Sequence, residues 1–191
     1  MADVIVILAA GEASRFGSPK QLAEWRGRPL VRFVAEEALA ACAEVVVVIG
    51  AHAPLVRDAL AGVPCRIVEN REWRRGPGSS LKAALEASSS FDAVLVTLVD
   101  LPRVTREHFT QLLKTEGALV ASRWSGSFGA PAVFRGAFAA ALEGIDDGAG
   151  AKSVLQANLS QVSLVDCPEA AHDVDQPATL DSLREQASPR R

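Results

Sequence analysis

The chain has 191 residues, 49% of them hydrophobic and 23% charged, with a formal net charge of -3. That is the length of one ordinary domain and the composition of a globular protein. The mild negative charge argues against broad nucleic-acid binding through the phosphate backbone, and no stretch approaches the ~20 apolar residues of a membrane span. Asp3 stands where the basic start of a signal peptide would be, so a cytoplasmic protein is expected. Cys42, Cys65 and Cys167 are odd in number and far apart, and are read as buried thiols in a reducing compartment.

Strand-length apolar runs alternate with segments of helical spacing. Residues 3–9 read as a first strand. Residues 29–42 follow as a helix, with Leu30, Val31, Phe33, Val34, Ala38 and Leu39 on one face. Residues 44–50 (EVVVVIG) are β-branched throughout, as in a strand buried on both faces. Residues 54–60 read as a short helix and 65–69 as a third strand. Residues 79–88 form a helix with Ser79 and Ser80 as candidate N-caps. Residues 93–99 (AVLVTLV) are a fourth strand, stopped by Asp100-Leu101-Pro102, and 105–113 are helical. Shorter strands at 118–123 and 132–134 flank a loop over 126–131. Helices at 138–142 and 151–157, a strand at 161–165 and a helix at 177–186 complete the pattern. The fold class is α/β: a mostly parallel sheet with helices on both faces, Rossmann-like in layering. No repeat or long linker divides the chain. A single domain over 1–186 is expected, with a frayed tail at 187–191.

In such sheets ligands bind outside the carboxyl ends of the strands. The chemically suggestive loops all follow strands. The first, LAAGEASRFGSPKQL from Leu8 to Leu22, is neither a P-loop nor a dinucleotide fingerprint, because Gly17 is followed by Ser18-Pro19 and Gly11 and Gly17 are six apart. It still carries Arg15 and Lys20 on a glycine-containing turn, which suits a phosphate. Asp100 ends the fourth strand and aims a carboxylate at the same crevice. A divalent cation would reconcile it with a bound phosphate. Gly76, Ser79 and Ser80 open a helix and could meet a base or sugar. Asp175, in the run His172-Asp173-Val174-Asp175, is a candidate second metal ligand opposite Asp100. Arg71, Arg74 and Arg75 read as a solvated charge run. His52, His108 and His172 lack ligand spacing and read as surface or turn residues.

These residues resemble the MobA-like NTP transferases. L-A-A-G-E-A-S-R-F-G-S-P-K-Q-L is similar to the family opening L-A-A-G-x-S-x-R-M-G-x-x-K-x-L, with Ala13 and Phe16 in place of Ser and Met. Asn70-x-x-Trp73-x-x-Gly76 followed by Ser79-Ser80-Leu81 resembles the family's nucleotide-contacting segment. Asp100-Leu101-Pro102 resembles its D-x-P metal motif, and Asp173-Val174-Asp175-x-Pro177 its closing D-[IV]-D-x-P. Gly129-Ala130-Pro131 matches its G-x-P turn with Ala130 for the usual His. Residues 146–152 follow its G-D-x-G-A-[RK] only loosely.

The resemblance implies a three-layer α/β/α nucleotidyltransferase of the nucleotide-diphospho-sugar transferase type, closest to the molybdenum cofactor cytidylyltransferases. The implied reaction moves CMP from CTP to the terminal phosphate of molybdopterin and releases pyrophosphate. Guanylyl-transferring relatives open with L-A-G-G, so Ala10 favours cytidine over GTP. Arg15 and Lys20 are expected at the phosphates, and Asp100 and Asp175 on Mg²⁺ or Mn²⁺. Leu8, the backbone of Ala9, Ala10 and Gly11, and the segment of Gly76, Ser79 and Ser80 are expected around the nucleotide. A molybdoenzyme or its chaperone would receive the product. The alternatives are the same chemistry on a sugar or polyol phosphate, and a nucleotide-binding module without turnover.

Overall fold

The computed structural model describes residues 2–88 and 91–187. Strand β1 (Ala2–Ala9) leads through two short 3-10 turns into a small hairpin, β2 (Glu24–Trp25) and β3 (Arg28–Pro29). Then follow α1 (Leu30–Ala41), β4 (Glu44–Ile49), α2 (Ala53–Ala59), β5 (Arg66–Glu69), α3 (Pro77–Ala87) and β6 (Phe91–Leu98). The second half holds α4 (Arg106–Lys114), β7 (Leu119–Trp124), β8 (Ser127–Arg135), α5 (Ala137–Glu143), α6 (Lys152–Ala157), β9 (Val162–Asp166) and α7 (Pro177–Ala187).

Seven strands form one sheet in the order β5-β4-β1-β6-β8-β7-β9. All neighbours are parallel except β8, which runs antiparallel to β6 and β7. The chain steps from β1 outward to β4 on one side and later to β6 on the other. The strand order therefore reverses between β1 and β6, which opens a crevice at their carboxyl ends.

The period of two along each strand divides the core into two layers. Ile5, Ile7 and Ala9 of β1 join Val45, Val47 and Leu95 under α1, α4 and α7. Val4 and Val6 join Val46, Val48, Val94 and Val96 under α3, α5 and α6. The continuous apolar runs of β1, β4 and β6 follow from this double burial.

Three elements differ from the sequence reading. Helix α3 begins at Pro77, and Gly76 precedes it without a side-chain cap. Ser79 and Ser80 lie in its first turn rather than capping it. Proline suits the first helical position because its missing N–H would have no partner there. Residues 127–131, read as loop, belong to β8, which pairs with β7 across a tight turn at Ser125-Gly126 and contains a cis Ala130–Pro131 bond. The β2–β3 hairpin is too short to leave a periodic signal. Helix α7 runs to Ala187, and the rest of the expected tail, 188–191, lies outside the described residues. Cys167 is buried as expected, but Cys42 and Cys65 are only half-buried.

Candidate active site

The loop after β1 carries two cations to the crevice. Lys20 begins a 3-10 turn behind Pro19, and its Nζ lies 2.6 Å from Asp100 Oδ2 and 3.3 Å from Asp175 Oδ1. Arg15 reaches the other oxygen of Asp175, Nη2 to Oδ2 at 2.9 Å. Asp100 follows β6, and its carbonyl accepts the N–H of Val174 at 2.9 Å. That bond ties the approach to α7 to the end of β6, and Lys20, 80 positions before Asp100, joins them from the β1 loop. Lys20 and Asp100 are nearly buried, at 14% and 15% side-chain exposure, whereas Arg15 is 75% exposed.

Asp100 Oδ1 is buried and has no hydrogen-bond partner among the described residues. Two carboxylates sharing one ammonium, one with an orphaned oxygen, suit a hard divalent cation. No cluster of three or more His, Cys, Asp or Glu set for a metal occurs among the described residues. A cation held by this pair would therefore draw its remaining oxygens from phosphates and water, the usual coordination of Mg²⁺.

A buried amide braces the loop. Gln21 is 1% exposed, and its Nε2 donates to the carbonyls of Ala9 at 2.9 Å and Gly11 at 2.6 Å. The Ala10 carbonyl accepts the N–H of Ala51 at 2.9 Å. With these carbonyls turned inward, the N–H groups of Gly11, Glu12 and Ala13 donate to no other main-chain group among the described residues. Free amides on a held loop form an anion-binding concavity.

Gly11 and Glu12 of this loop line a cleft of about 560 Å³ together with Leu8, Ala10, Trp73, Arg74, Gly76 and Ser80. Ser80 of this lining is held by Asn70, which is 6% exposed. The Asn70 Nδ2 donates to Ser79 Oγ at 2.9 Å and Ser80 Oγ at 3.0 Å, and its Oδ1 accepts the N–H of Glu72 at 2.9 Å. Leu8, Pro77 and Leu98 are shared with a second cavity of about 410 Å³. This chamber is mostly apolar, with Val96, Trp124, Ala130 and Phe134 in its walls and Lys152 and Asp173 as its charged groups.

The structure thus brings Arg15, Lys20, Asp100 and Asp175 together and sets Leu8, Ala10, Gly11, Gly76 and Ser80 around the adjoining cleft. Ala9 acts behind the cleft through its carbonyl, and Ser79 through Asn70 and the Gly76 carbonyl, to which its Oγ donates at 2.7 Å. The arginine run is not simply solvated. Arg74 stacks 4.3 Å from the Trp73 ring centroid, and Arg75 pairs with Asp147. His108 is half-buried rather than on the surface, its Nε2 2.7 Å from the buried Ser122 Oγ. Burial pushes the His108 imidazole pKa down, and the charge of Glu169 partly opposes the shift. Sequence reasoning missed Gln21. A single glutamine whose partners are backbone carbonyls leaves no pattern to find.

Known proteins place this architecture. A model of the MobA-like NTP transferase domain matches residues 5–163. The chain is 36% identical over 185 residues to nicotine blue oxidoreductase of Paenarthrobacter nicotinovorans, covering 89% of this chain and 90% of that one. It is 31% identical over 111 residues to a probable molybdenum cofactor guanylyltransferase of Bacillus cereus, covering 57% of this chain and 54% of the relative. Among solved structures, a nucleotidyl transferase from Methanothermobacter thermautotroptrophicus superposes with a TM-score of 0.84 at 21% identity, over 97% of each chain. The Rv0371c protein of Mycobacterium tuberculosis, solved as a manganese complex, superposes at 0.76 with 22% identity over 98% of this chain and 100% of that one. At these identities the structural likeness is one of fold.

Proposed function

The chain belongs to the MobA-like NTP transferase family, a family of nucleotidyltransferases, and we propose that it moves CMP from CTP to the terminal phosphate of a molybdopterin-type acceptor with release of pyrophosphate. One observation carries the reading: Lys20 and Arg15 converge on Asp100 and Asp175 at the switch point of the sheet, on the loop whose Ala10, Gly11 and Glu12 line the cleft. Passive nucleotide binding does not require two carboxylates at the phosphate end.

In this reading the nucleotide lies in the cleft, its base and ribose against Gly76, Ser79 and Ser80 and its phosphates over the loop of Leu8, Ala9, Ala10 and Gly11. Arg15 and Lys20 leave their carboxylate partners for the phosphates. An oxygen of the acceptor phosphate attacks the α-phosphorus, the bond between that phosphorus and its bridge to the β-phosphate breaks, and the electron pair departs with pyrophosphate. The attacking oxygen is anionic at neutral pH, so no protein base is needed. Catalysis comes from alignment and from cations placed where charge develops. Asp100 and Asp175 would hold Mg²⁺, which supplies charge neutralisation on the phosphates. The acceptor enters through the apolar chamber, whose Lys152 offers a counter-charge to an anionic group. A molybdoenzyme or its chaperone would take the product. No helix among the described residues is long and apolar enough to cross a membrane, and a cytoplasmic setting suits such a reaction.

The test is Mg²⁺-dependent pyrophosphate release with CTP, GTP, ATP or UTP, each with and without molybdenum cofactor. Release with CTP only in the presence of cofactor is the expected result. Release with GTP moves the base choice to guanine, the base used by the relatives named guanylyltransferases. A second use of the scaffold is favoured by the 36% identity to a relative named an oxidoreductase over nine-tenths of its length. Binding without pyrophosphate release for any nucleotide, together with hydride transfer from a reduced nicotinamide nucleotide to an added two-electron dye acceptor, would establish that use instead.

A further inference from the structure

The segment between α5 and α6 walls the apolar chamber and packs against the start of α3, which walls the cleft, and Asp147 fastens it. Its main chain lies directly on the start of α3: the N–H of Gly78 donates to the Asp147 carbonyl at 2.9 Å. A Cβ on Gly76 would stand 2.4 Å from that same carbonyl oxygen, and a Cβ on Gly78 2.2 Å from the Asp146 carbonyl. Glycine is required at both positions for the approach, and at Gly76 also for a φ of +123°. The Asp147 side chain then grips α3 from its flank. Its carboxylate lies 2.9 Å from Lys82 Nζ and 2.5 Å from Arg75 Nη2, and Arg75 Nη1 also bonds Glu72 Oε2 at 2.7 Å. The hydrogen bond from Lys82, with the charge of Arg75, holds the Asp147 carboxyl below the usual carboxylate range.

On one side of this clamp are Trp73, Gly76 and Ser80 of the nucleotide cleft. On the other, three residues further along, Gly150, Ala151 and Lys152 wall the apolar chamber. Pro77 lines both. A segment packed against both sites is a route by which occupation of one can bias the other.

We propose that Asp147 is a positioning residue that couples the nucleotide cleft to the acceptor chamber, so that a bound nucleotide sets the chamber wall at Gly150–Lys152. This rests on the cleft being the nucleotide site, but not on the identity of the base or the acceptor.

The chain's three tryptophans report separately on the two sites. Trp73 lines the cleft, Trp124 lines the chamber, and Trp25 is buried in the core. With 5-fluorotryptophan incorporated, ¹⁹F NMR resolves all three during titration with CTP and Mg²⁺, and calorimetry follows binding in parallel. In the native protein CTP shifts both the Trp73 and Trp124 resonances. In Asp147→Asn, CTP shifts Trp73 while the Trp124 shift is lost, and the Kd rises by less than about fivefold, the lower end of ordinary coupling. Lys82→Met behaves like Asp147→Asn, and Asp147→Glu keeps the Trp124 response. An unaltered Trp124 shift in both Asp147→Asn and Lys82→Met overturns the proposal. So does a native Trp124 that stays still while Trp73 moves. If calorimetry detects no binding of any nucleoside triphosphate, the nucleotide reading itself falls and takes the coupling with it.

Discussion

Replacing Lys20 by alanine separates two properties that usually fall together. In the free protein the Lys20 ammonium occupies the space between Asp100 and Asp175, at 2.6 and 3.3 Å. A divalent cation must displace it or share the carboxylates with it. A charge-assisted hydrogen bond of this kind is worth roughly 1.5–3 kcal/mol net, and a cation approaching the pair meets that resistance. Removing the ammonium abolishes it. Mn²⁺ binding in the absence of nucleotide should then tighten by about tenfold, taking roughly 1.4 kcal/mol per decade. Turnover should move the opposite way. Lys20 is also the most deeply placed cation for the phosphates, and loss of such a preorganised group lowers turnover at least ~100-fold. Electron paramagnetic resonance titration of free Mn²⁺ and a pyrophosphate-release assay on the same preparation read the two quantities. The reasoning is refuted if Lys20→Ala binds Mn²⁺ no more tightly than the native protein and turns over within tenfold of it.

Other perturbations test other parts of the site. Asp100→Ala should lower turnover at least ~100-fold and, unlike Lys20→Ala, weaken Mn²⁺ binding in the same titration. Gln21→Ala strips the hydrogen bonds from the Ala9 and Gly11 carbonyls. It should destabilise the fold by about 1–3 kcal/mol in denaturant unfolding and raise the KM for the nucleotide more than it changes kcat. His108 gives a pH dependence. Its folded pKa lies below the ordinary value of 6.5, so the unfolded chain binds the proton first as pH falls. The stabilisation is complete above pH 6.5 and is lost progressively below it, down to the folded pKa. Thermal unfolding from pH 8 to 5 should show this acid-side loss, and His108→Gln should flatten it.

The layering was legible because its signal is local. The run Val45-Val46-Val47-Val48 is β-branched and apolar on both faces, and only a strand between two helical layers buries such a run. The helix starting at Leu30 declared itself through its apolar face. The start of α3 did not. Gly76-Pro77-Gly78 reads as a turn, and it becomes a helix start because the Asp147 carbonyl, from the far side of α5, accepts the Gly78 N–H. Residues 127–131 read as loop for a related reason: their pairing with β7 is fixed by tertiary register, not by a run of strand formers.

Of the candidate site, the sequence by itself named the residues proposed here. Arg15 and Lys20 lie on the loop after β1, Asp100 follows β6 and Asp175 precedes α7, and the crevice rule for parallel sheets draws such segments together. What only the tertiary structure decided is how they are engaged. Lys20 pairs with both carboxylates, Gln21 takes up the Ala9 and Gly11 carbonyls, and Asp147 pairs with Lys82 of α3. The division has a physical cause. Residue type and strand order are written in neighbours along the chain. The partner of a buried charge or amide is whatever the folded chain sets within hydrogen-bond reach, and here those partners lie as far as 155 residues away.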